Sequence, residues 1–302
     1  MINKFTHAPV FPIVPCYTER QLLDIDATIK YAQYLVDNGA EILMTTAGTT
    51  QFNLLSNSEI QIINKSLAAA FPDKTIIMGL RADSFLLTQS IIKVYNKLRF
   101  NDNTFLMLKY PERYYNDDII ERYFHILAEA SDYPILIHCN PLMNGITGKT
   151  HDYTAKLINK ICSNKNIVGV KEETSNLTQA YSVVKELNSD IGTIFAGGSQ
   201  RRYTILSDLG YSGKTFLVGV GSVFPRVDIE YKMEFDNYGN KGVDNDIESK
   251  CFDVFFKYGW HPSLRYALQY SELIPEHNRQ PWPSLDNYGA IQTVVDFIKG
   301  ML

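Results

Sequence analysis

Along the chain, short and nearly continuous runs of Val, Ile, Leu and Phe alternate with longer stretches of helix-type patterning. The runs lie at Ala8–Cys16, Ile42–Thr46, Thr75–Leu80, Thr104–Lys109, Pro134–Asn140, Ile167–Lys171, Gly192–Ala196 and Thr215–Val220. Unbroken apolar runs suit strands covered on both faces, as in a parallel sheet. Between them, helices are expected over Glu19–Asn38, from the capping-box pattern Ser56 to Glu59, and over Phe85–Leu98. Others are expected over Ile119–Ala130 behind Asn116, His151–Cys162, Leu177–Leu187 and Gln200–Leu209. Eight strands, each followed by a helix or by the C-terminal tail, make the pattern of a (β/α)8 barrel. A doubly wound sheet shares the alternation, but the turn after the first strand, Tyr17 to Glu19, lacks a GxGxxG fingerprint. Beyond Pro225 the strands stop, and Val227–Phe235, Asp244–Phe256, Pro262–Ser271 and Ala290–Leu302 read as helices. The expected organisation is a barrel over residues 1–222 and a helical region over 223–302.

Composition narrows the class. The 302 residues are 45% hydrophobic and 21% charged, which excludes intrinsic disorder. A net charge of -4 gives no nucleic-acid footprint, and no apolar run reaches the length that spans a bilayer. The opening residues Met1 to Phe5 lack a secretory-signal pattern. Cys16, Cys139, Cys162 and Cys251 form no CxxC pair, as expected of reduced cytoplasmic thiols rather than disulfides or a zinc site. No HExxH or other metal spacing occurs, so no metal and no cofactor are expected. Gly148, Lys149 and Thr150 resemble the end of a P-loop, but Met143 stands at its first glycine. His125, inside a helical stretch, reads as a packing or surface residue.

Lys171 ends the apolar run Ile167–Lys171 and is followed by Glu172, Glu173 and Thr174. A lysine at the C-terminal end of a barrel strand faces the side where such barrels keep their chemistry. Apolar walls would desolvate its ammonium, lower its pKa and free the amine to form a Schiff base with a ketone. The plainer alternative is a lysine snorkelling outward to pair with Glu172 or Glu173.

The stretch Gly169 to Asn176 resembles the GxKE(A/T)(T/S)(G/S)(N/D) signature of the dihydrodipicolinate synthase / N-acetylneuraminate lyase family. Five further segments are similar to that family. Ala47 to Ser56 resembles its G(S/T)TGExxxLS loop and Pro134 to Pro141 its P(V/I)xxYNxP segment. Gly219 to Pro225 resembles a late glycine-rich strand end, with Gly221 the candidate substrate contact there. His261 to Leu268 is similar to NPxPxKxAL, and Arg279 to Pro283 to the R(L/P)PL tail. The resemblance implies a (β/α)8 barrel with a C-terminal helical region, assembled as a homotetramer. It implies a class I, Schiff-base aldolase or lyase acting on a 2-oxo acid such as pyruvate, with an aldehyde or sugar as the other partner.

By the same resemblance Lys171 is the Schiff-base lysine, and the turn Gly48, Thr49 and Thr50 holds the keto-acid carboxylate. One register gives Thr49 alone as hydroxyl donor, with Gly48 in the first hydroxyl place; the other, with a one-residue deletion, gives Thr49 and Thr50. The family's strand-five tyrosine is replaced by His138, an imidazole able to relay protons near neutrality. A hydrogen-bonded core histidine is the alternative. Gln51 replaces the loop glutamate. The arginine that dihydrodipicolinate synthases carry after strand five is replaced by Leu142, Met143 and Asn144, which argues against lysine biosynthesis. Tyr114 or Tyr115 is a candidate for a proton relay between subunits, with a tyrosine-rich subunit contact as the plainer alternative, and Ser199 and Gln200 are candidates for sugar hydroxyls or for capping the next helix. Two other readings stay open: a 2-keto-3-deoxy sugar acid dehydratase or aldolase, and a barrel that binds a small acid without turnover.

Overall fold

The computed structural model describes residues 2–81, 84–110, 113–114, 116–143, 148–174, 176–196, 205–238, 246–282 and 289–300. Eight parallel strands form one sheet: β1 (Val10–Pro12), β2 (Ile42–Met44), β3 (Thr75–Gly79), β4 (Thr104–Lys109), β5 (Ile135–Cys139), β6 (Ile167–Glu172), β7 (Gly192–Phe195) and β8 (Lys214–Phe216). They neighbour one another in chain order, and a parallel bridge from Val10 to Leu217 joins the last to the first. The sheet is therefore a (β/α)8 barrel, as the alternation of runs and helical patterns implies.

Helices α1 (Ile25–Asp37), α2 (Asn57–Ala70), α3 (Phe85–Asn96), α4 (Asp117–Glu129), α5 (Ala155–Ile161) and α6 (Leu177–Lys185) alternate with the strands. Their starts follow their caps. Ser56 and Glu59 form the expected reciprocal capping box on α2, and Asn116 and Asn176 cap α4 and α6. Two helices start later than the pattern predicts. Asp24 rather than Glu19 opens α1, because Leu23 and Asp24 first pair antiparallel with Cys16 and Tyr17. Thr154 caps α5, because Thr150 and His151 pair with Leu142 and Met143. The first strand is likewise short, ending at Pro12. The expected helix from Gln200 lies partly outside the described residues, and residues 205–209 are helical. Beyond β8, Val220–Ser222 forms a 3-10 turn rather than strand, and α7 (Pro225–Tyr238), α8 (Asp246–Lys257), α9 (Trp260–Tyr270) and α10 (Gly289–Lys299) follow.

One buried cluster gathers Phe5, Val10, Ile42, Met44, Ile77, Phe105, Met107, Leu136 and Ile194, the inward positions of the strands. The larger cluster packs the outer strand faces against the helices. Phe5 lies beneath the barrel with its ring edge-on to Phe105. Gly169 and Gly192 leave room for it: a Cβ at either would come within 2.5 Å and 2.3 Å of the Phe5 ring. The glycine two residues before Lys171 thus has a packing reason.

Candidate active site

Alternation along the strands decides which side chains reach the barrel axis. On β4, Phe105 and Met107 lie in the inner cluster, so Lys109 follows them inward; on β5, His138 follows Leu136; on β6, Lys171 follows Gly169, and Glu173 comes one residue past the strand's end. The pairing register sets Lys109 opposite His138 and His138 opposite Lys171, forming one row across three strand ends. Two residues beyond the Gly79–Met107 pair, Arg81 continues the row beside Lys109.

Three atoms converge at its centre. Lys171 Nζ lies 2.9 Å from His138 Nε2 and donates to Glu173 Oε2 at 2.6 Å, while His138 Nε2 lies 2.5 Å from the same carboxylate oxygen. Lys171 is buried; His138 and Glu173 are half-buried and open toward the mouth. Desolvation, joined by the Lys171 ammonium, lowers the His138 pKa to about 4, so the imidazole is neutral at neutral pH. Desolvation also pushes the Glu173 carboxyl up, but the Lys171 ammonium and the His138 hydrogen bond outweigh it and hold it well below the usual carboxylate range. The imidazole is thus the neutral member of the trio, set against a fixed carboxylate. The walls around Lys171 are thus not purely apolar, and the lysine does pair with Glu173. It pairs inside the barrel, however, whereas Glu172 turns outward and accepts from Thr174 N–H at 2.6 Å.

Two compartments border this centre. The larger, about 680 Å³, is lined by Thr46, Gly48, Arg81, Lys109, Arg113 and His138 among others. The smaller, about 250 Å³, holds Lys171, Glu173 and Thr49 against Phe252, Phe256 and Trp260. Gly48 and His261 border both. Burial lowers the pKa of His261, against the opposing pull of Glu173.

The turn after β2 departs in part from expectation. Thr50 is buried, with its hydroxyl donating to Ala47 C=O at 2.6 Å and accepting from Ala47 N–H at 2.5 Å. It closes the turn instead of reaching substrate, because the tight turn needs a side chain to satisfy Ala47. Gly48 and Thr49 face the compartments, and their N–H groups make no hydrogen bond among the described residues. Gln51, buried in a left-handed conformation at φ 56°, receives Arg265 Nη1 at 3.5 Å, a structural contact without charge. Gly221 borders neither compartment: its N–H donates to Asp228 Oδ2 at 2.8 Å. A Cβ there would strike the same carboxylate, so this glycine serves packing. Tyr114 stacks on His151 at 3.7 Å and bonds Asp117, away from both compartments within this chain. Tyr115, Ser199 and Gln200 lie outside the described residues.

Five ionisable residues of the site, Glu173, Lys109, Arg81, His261 and Arg113, were not singled out by sequence reasoning. Strand alternation from Lys171 assigns Glu173 inward, and the same count assigns Lys109. His261 stands at the asparagine place of the NPxPxKxAL-like segment, and Arg113 carries no periodic signal.

A parallel eight-stranded barrel with a buried lysine at the end of its sixth strand and a histidine beside it on the fifth is an arrangement suited to lyase and aldolase chemistry. The chain belongs to the dihydrodipicolinate synthetase family, whose model matches residues 5–296. The 4-hydroxy-tetrahydrodipicolinate synthase of Karelsulcia muelleri is 25% identical over 280 residues, 89% of each chain. That of Moorella thermoacetica is 26% identical over 203 residues, 66% of each. In fold, the chain is similar to dihydrodipicolinate synthase from Bacillus clausii, with a TM-score of 0.81 at 17% identity over 100% of this chain and 99% of that one. It is also similar to a Sulfolobus 2-keto-3-deoxygluconate aldolase, with a TM-score of 0.76 at 19% identity over 97% and 96%. Among the described residues, no helix is long and apolar enough to cross a membrane.

Proposed function

We propose that the protein is a Schiff-base lyase or aldolase that cleaves a 4-hydroxy-2-oxo acid to pyruvate and an aldehyde, or runs the reverse condensation. The observation that carries this reading is the convergence of Lys171 Nζ, His138 Nε2 and Glu173 Oε2 within 2.9 Å, beside the open N–H groups of Gly48 and Thr49.

Passing a proton from Lys171 to His138 leaves a neutral amine, with the imidazolium facing the Glu173 carboxylate. The amine attacks the C2 carbonyl, the His138 imidazolium returns its proton to the carbinolamine hydroxyl, water leaves, and an iminium forms with His138 neutral again. The substrate carboxylate lies on the Gly48 and Thr49 N–H groups, where charge-assisted hydrogen bonds orient it. The neutral His138 then takes the proton of the C4 hydroxyl as the C3–C4 bond breaks. The bonding pair moves onto the iminium to give an enamine, and the aldehyde leaves. His138 returns its proton to C3, and water hydrolyses the imine to release pyruvate and the free lysine. Glu173 offsets the imidazolium charge each time it forms. In the quoted signature Ala or Thr occupies the Glu173 place, as Tyr occupies that of His138. The two departures face each other at 2.5 Å and form one unit.

Intact-protein mass after incubation with pyruvate and borohydride tests the reading, with peptide mapping of the adduct. A pyruvyl-sized adduct on Lys171, absent from Lys171→Ala, is the expected result. Turnover of that variant should fall by on the order of a thousandfold or more. A folded protein that forms no adduct, or a variant with full turnover, contradicts the reading.

A further inference from the structure

Phe252, Phe255 and Phe256 lie at i, i+3 and i+4 on α8, so they share one side of that helix. Phe255 is buried in the core, while Phe252 is half-buried and Phe256 is 60% exposed. Gly259, at φ 89°, turns the chain so that Trp260 at the start of α9 folds back onto them. The indole stacks on Phe252 with ring centroids 4.6 Å and planes 7° apart, and on Phe256 at 5.5 Å and 28°. This stack is pressed against the segment that follows β8. A Cβ at Gly219 would stand 3.1 Å from Trp260 and 3.2 Å from Phe252, so the glycine lets the rings come this close to the barrel.

The same rings, Phe252, Phe256 and Trp260, wall the compartment of about 250 Å³ that holds Lys171, Glu173 and Thr49. Under the Schiff-base reading its polar side is occupied: the keto-acid carboxylate lies on the Gly48 and Thr49 N–H groups, and C2 is joined to Lys171. His138 serves this compartment as well, since its Nε2 lies 2.9 Å from Lys171 Nζ and 2.5 Å from Glu173 Oε2. On that reading the rest of the substrate's carbon chain meets aromatic faces. Such faces attract a flat apolar group through offset or edge-on stacking and through the water it displaces. Phenyl rings offer a hydroxyl no ordinary hydrogen-bond partner, so a polyol set against them gives up water without replacement.

We propose that Phe252, Phe256 and Trp260 form an aromatic subsite, and that the aldehyde released at Lys171 carries an aromatic ring beside its carbonyl. The word aldehyde rests on the Schiff-base reading; the subsite rests on the rings and the compartment they wall. The proposal also divides the readings left open by the sequence, since a sugar-derived aldehyde would set its hydroxyls against these rings.

The experiment has two parts, both on the full chain. Turnover with pyruvate compares benzaldehyde with glyceraldehyde, and binding compares benzyl alcohol with glycerol through tryptophan emission. Trp260 and Trp282 are the two tryptophans, so Trp282→Phe leaves Trp260 as the reporter. The expected result is a kcat/KM higher by on the order of tenfold or more for benzaldehyde, and an emission change with benzyl alcohol but not with glycerol. Phe256→Ala should lose most of that preference through a raised KM, whereas Phe256→Tyr, which keeps the ring, should retain it. Equal use of the two aldehydes, or a preference unchanged in Phe256→Ala, overturns the subsite. An emission that ignores benzyl alcohol, with a smaller assembly of Phe256→Ala in light scattering, assigns the ring to a contact between copies and overturns it as well. Absence of the pyruvate adduct in wild type contradicts the Schiff-base reading instead, and the emission comparison still decides the subsite.

Discussion

Arg265 and Arg279, late in the chain, and Arg81, Lys109 and Arg113, at the third and fourth strand ends, carry the same charge into opposite surroundings. Arg265 is 2% exposed, with donors on Pro15 C=O at 2.7 Å, His277 C=O at 2.6 Å and Asn278 Oδ1 at 2.6 Å. Arg279 forks onto Glu59 at 2.7 Å and 3.0 Å and reaches the carbonyls of Leu54 and Gln21. Both guanidinium planes lie over the Tyr17 ring. These two arginines rivet the C-terminal segment to the loops after β1 and β2. Their partners consume their donors, so they stabilise the fold and offer little to a ligand. The strand-end cations instead border a chamber.

Three variants or conditions can break this distinction. Removing the rivet has the largest effect: Arg265→Ala should cost about 3 to 5 kcal/mol, because it opens a cavity and strands several buried acceptors. Denaturant unfolding reads that cost, and a midpoint equal to wild type would erase the contrast. Acidification comes next. The guanidinium groups keep their charge, but His138, with a pKa lowered from 6.5 to about 4, gains one beside Lys171 and Lys109. As pH falls below 6.5 the unfolded chain takes up its proton before the folded one. Stability contributed by this histidine is therefore complete above pH 6.5 and is lost toward pH 4, by at most about 3 kcal/mol. Thermal melts of wild type and His138→Gln across that range check the sign, since the variant should show a shallower decline. Smallest is the structural effect of Arg113→Ala, an exposed residue whose loss should change stability by no more than about 0.5 kcal/mol. A large loss there would make Arg113 part of the fold rather than of the chamber.

Much of this was legible in the sequence, and the parts that were not have physical reasons. Continuous apolar runs gave the barrel, because parallel strands bury both faces and leave no polar interruptions. Lys171 stood out because a charge closing such a run must emerge at one end of the barrel. Glu173 did not, because two adjacent glutamates after a lysine look like a solvated pair. Only the period of two separates the inward one from Glu172. Thr50 misled for the opposite reason: its hydroxyl is the right chemistry in the right turn, but the turn uses it. Late starts of α1 and α5 came from two small antiparallel ribbons whose partners lie across a loop. Gly169 was visible as part of a signature, but its cause, the ring of Phe5 from far upstream, needed three dimensions.

That ring has a consequence for traffic. With Phe5 seated under the barrel between Gly169 and Gly192, the interior has a floor, and Lys171 lies toward the opposite end, where the two compartments open. Whatever reacts at that depth must enter and leave past the same rim. On the proposed Schiff-base reading, a keto acid held on Lys171 would enter first in condensation and leave last in cleavage. A phenylalanine at the far end of the molecule thereby sets a queue at the entrance.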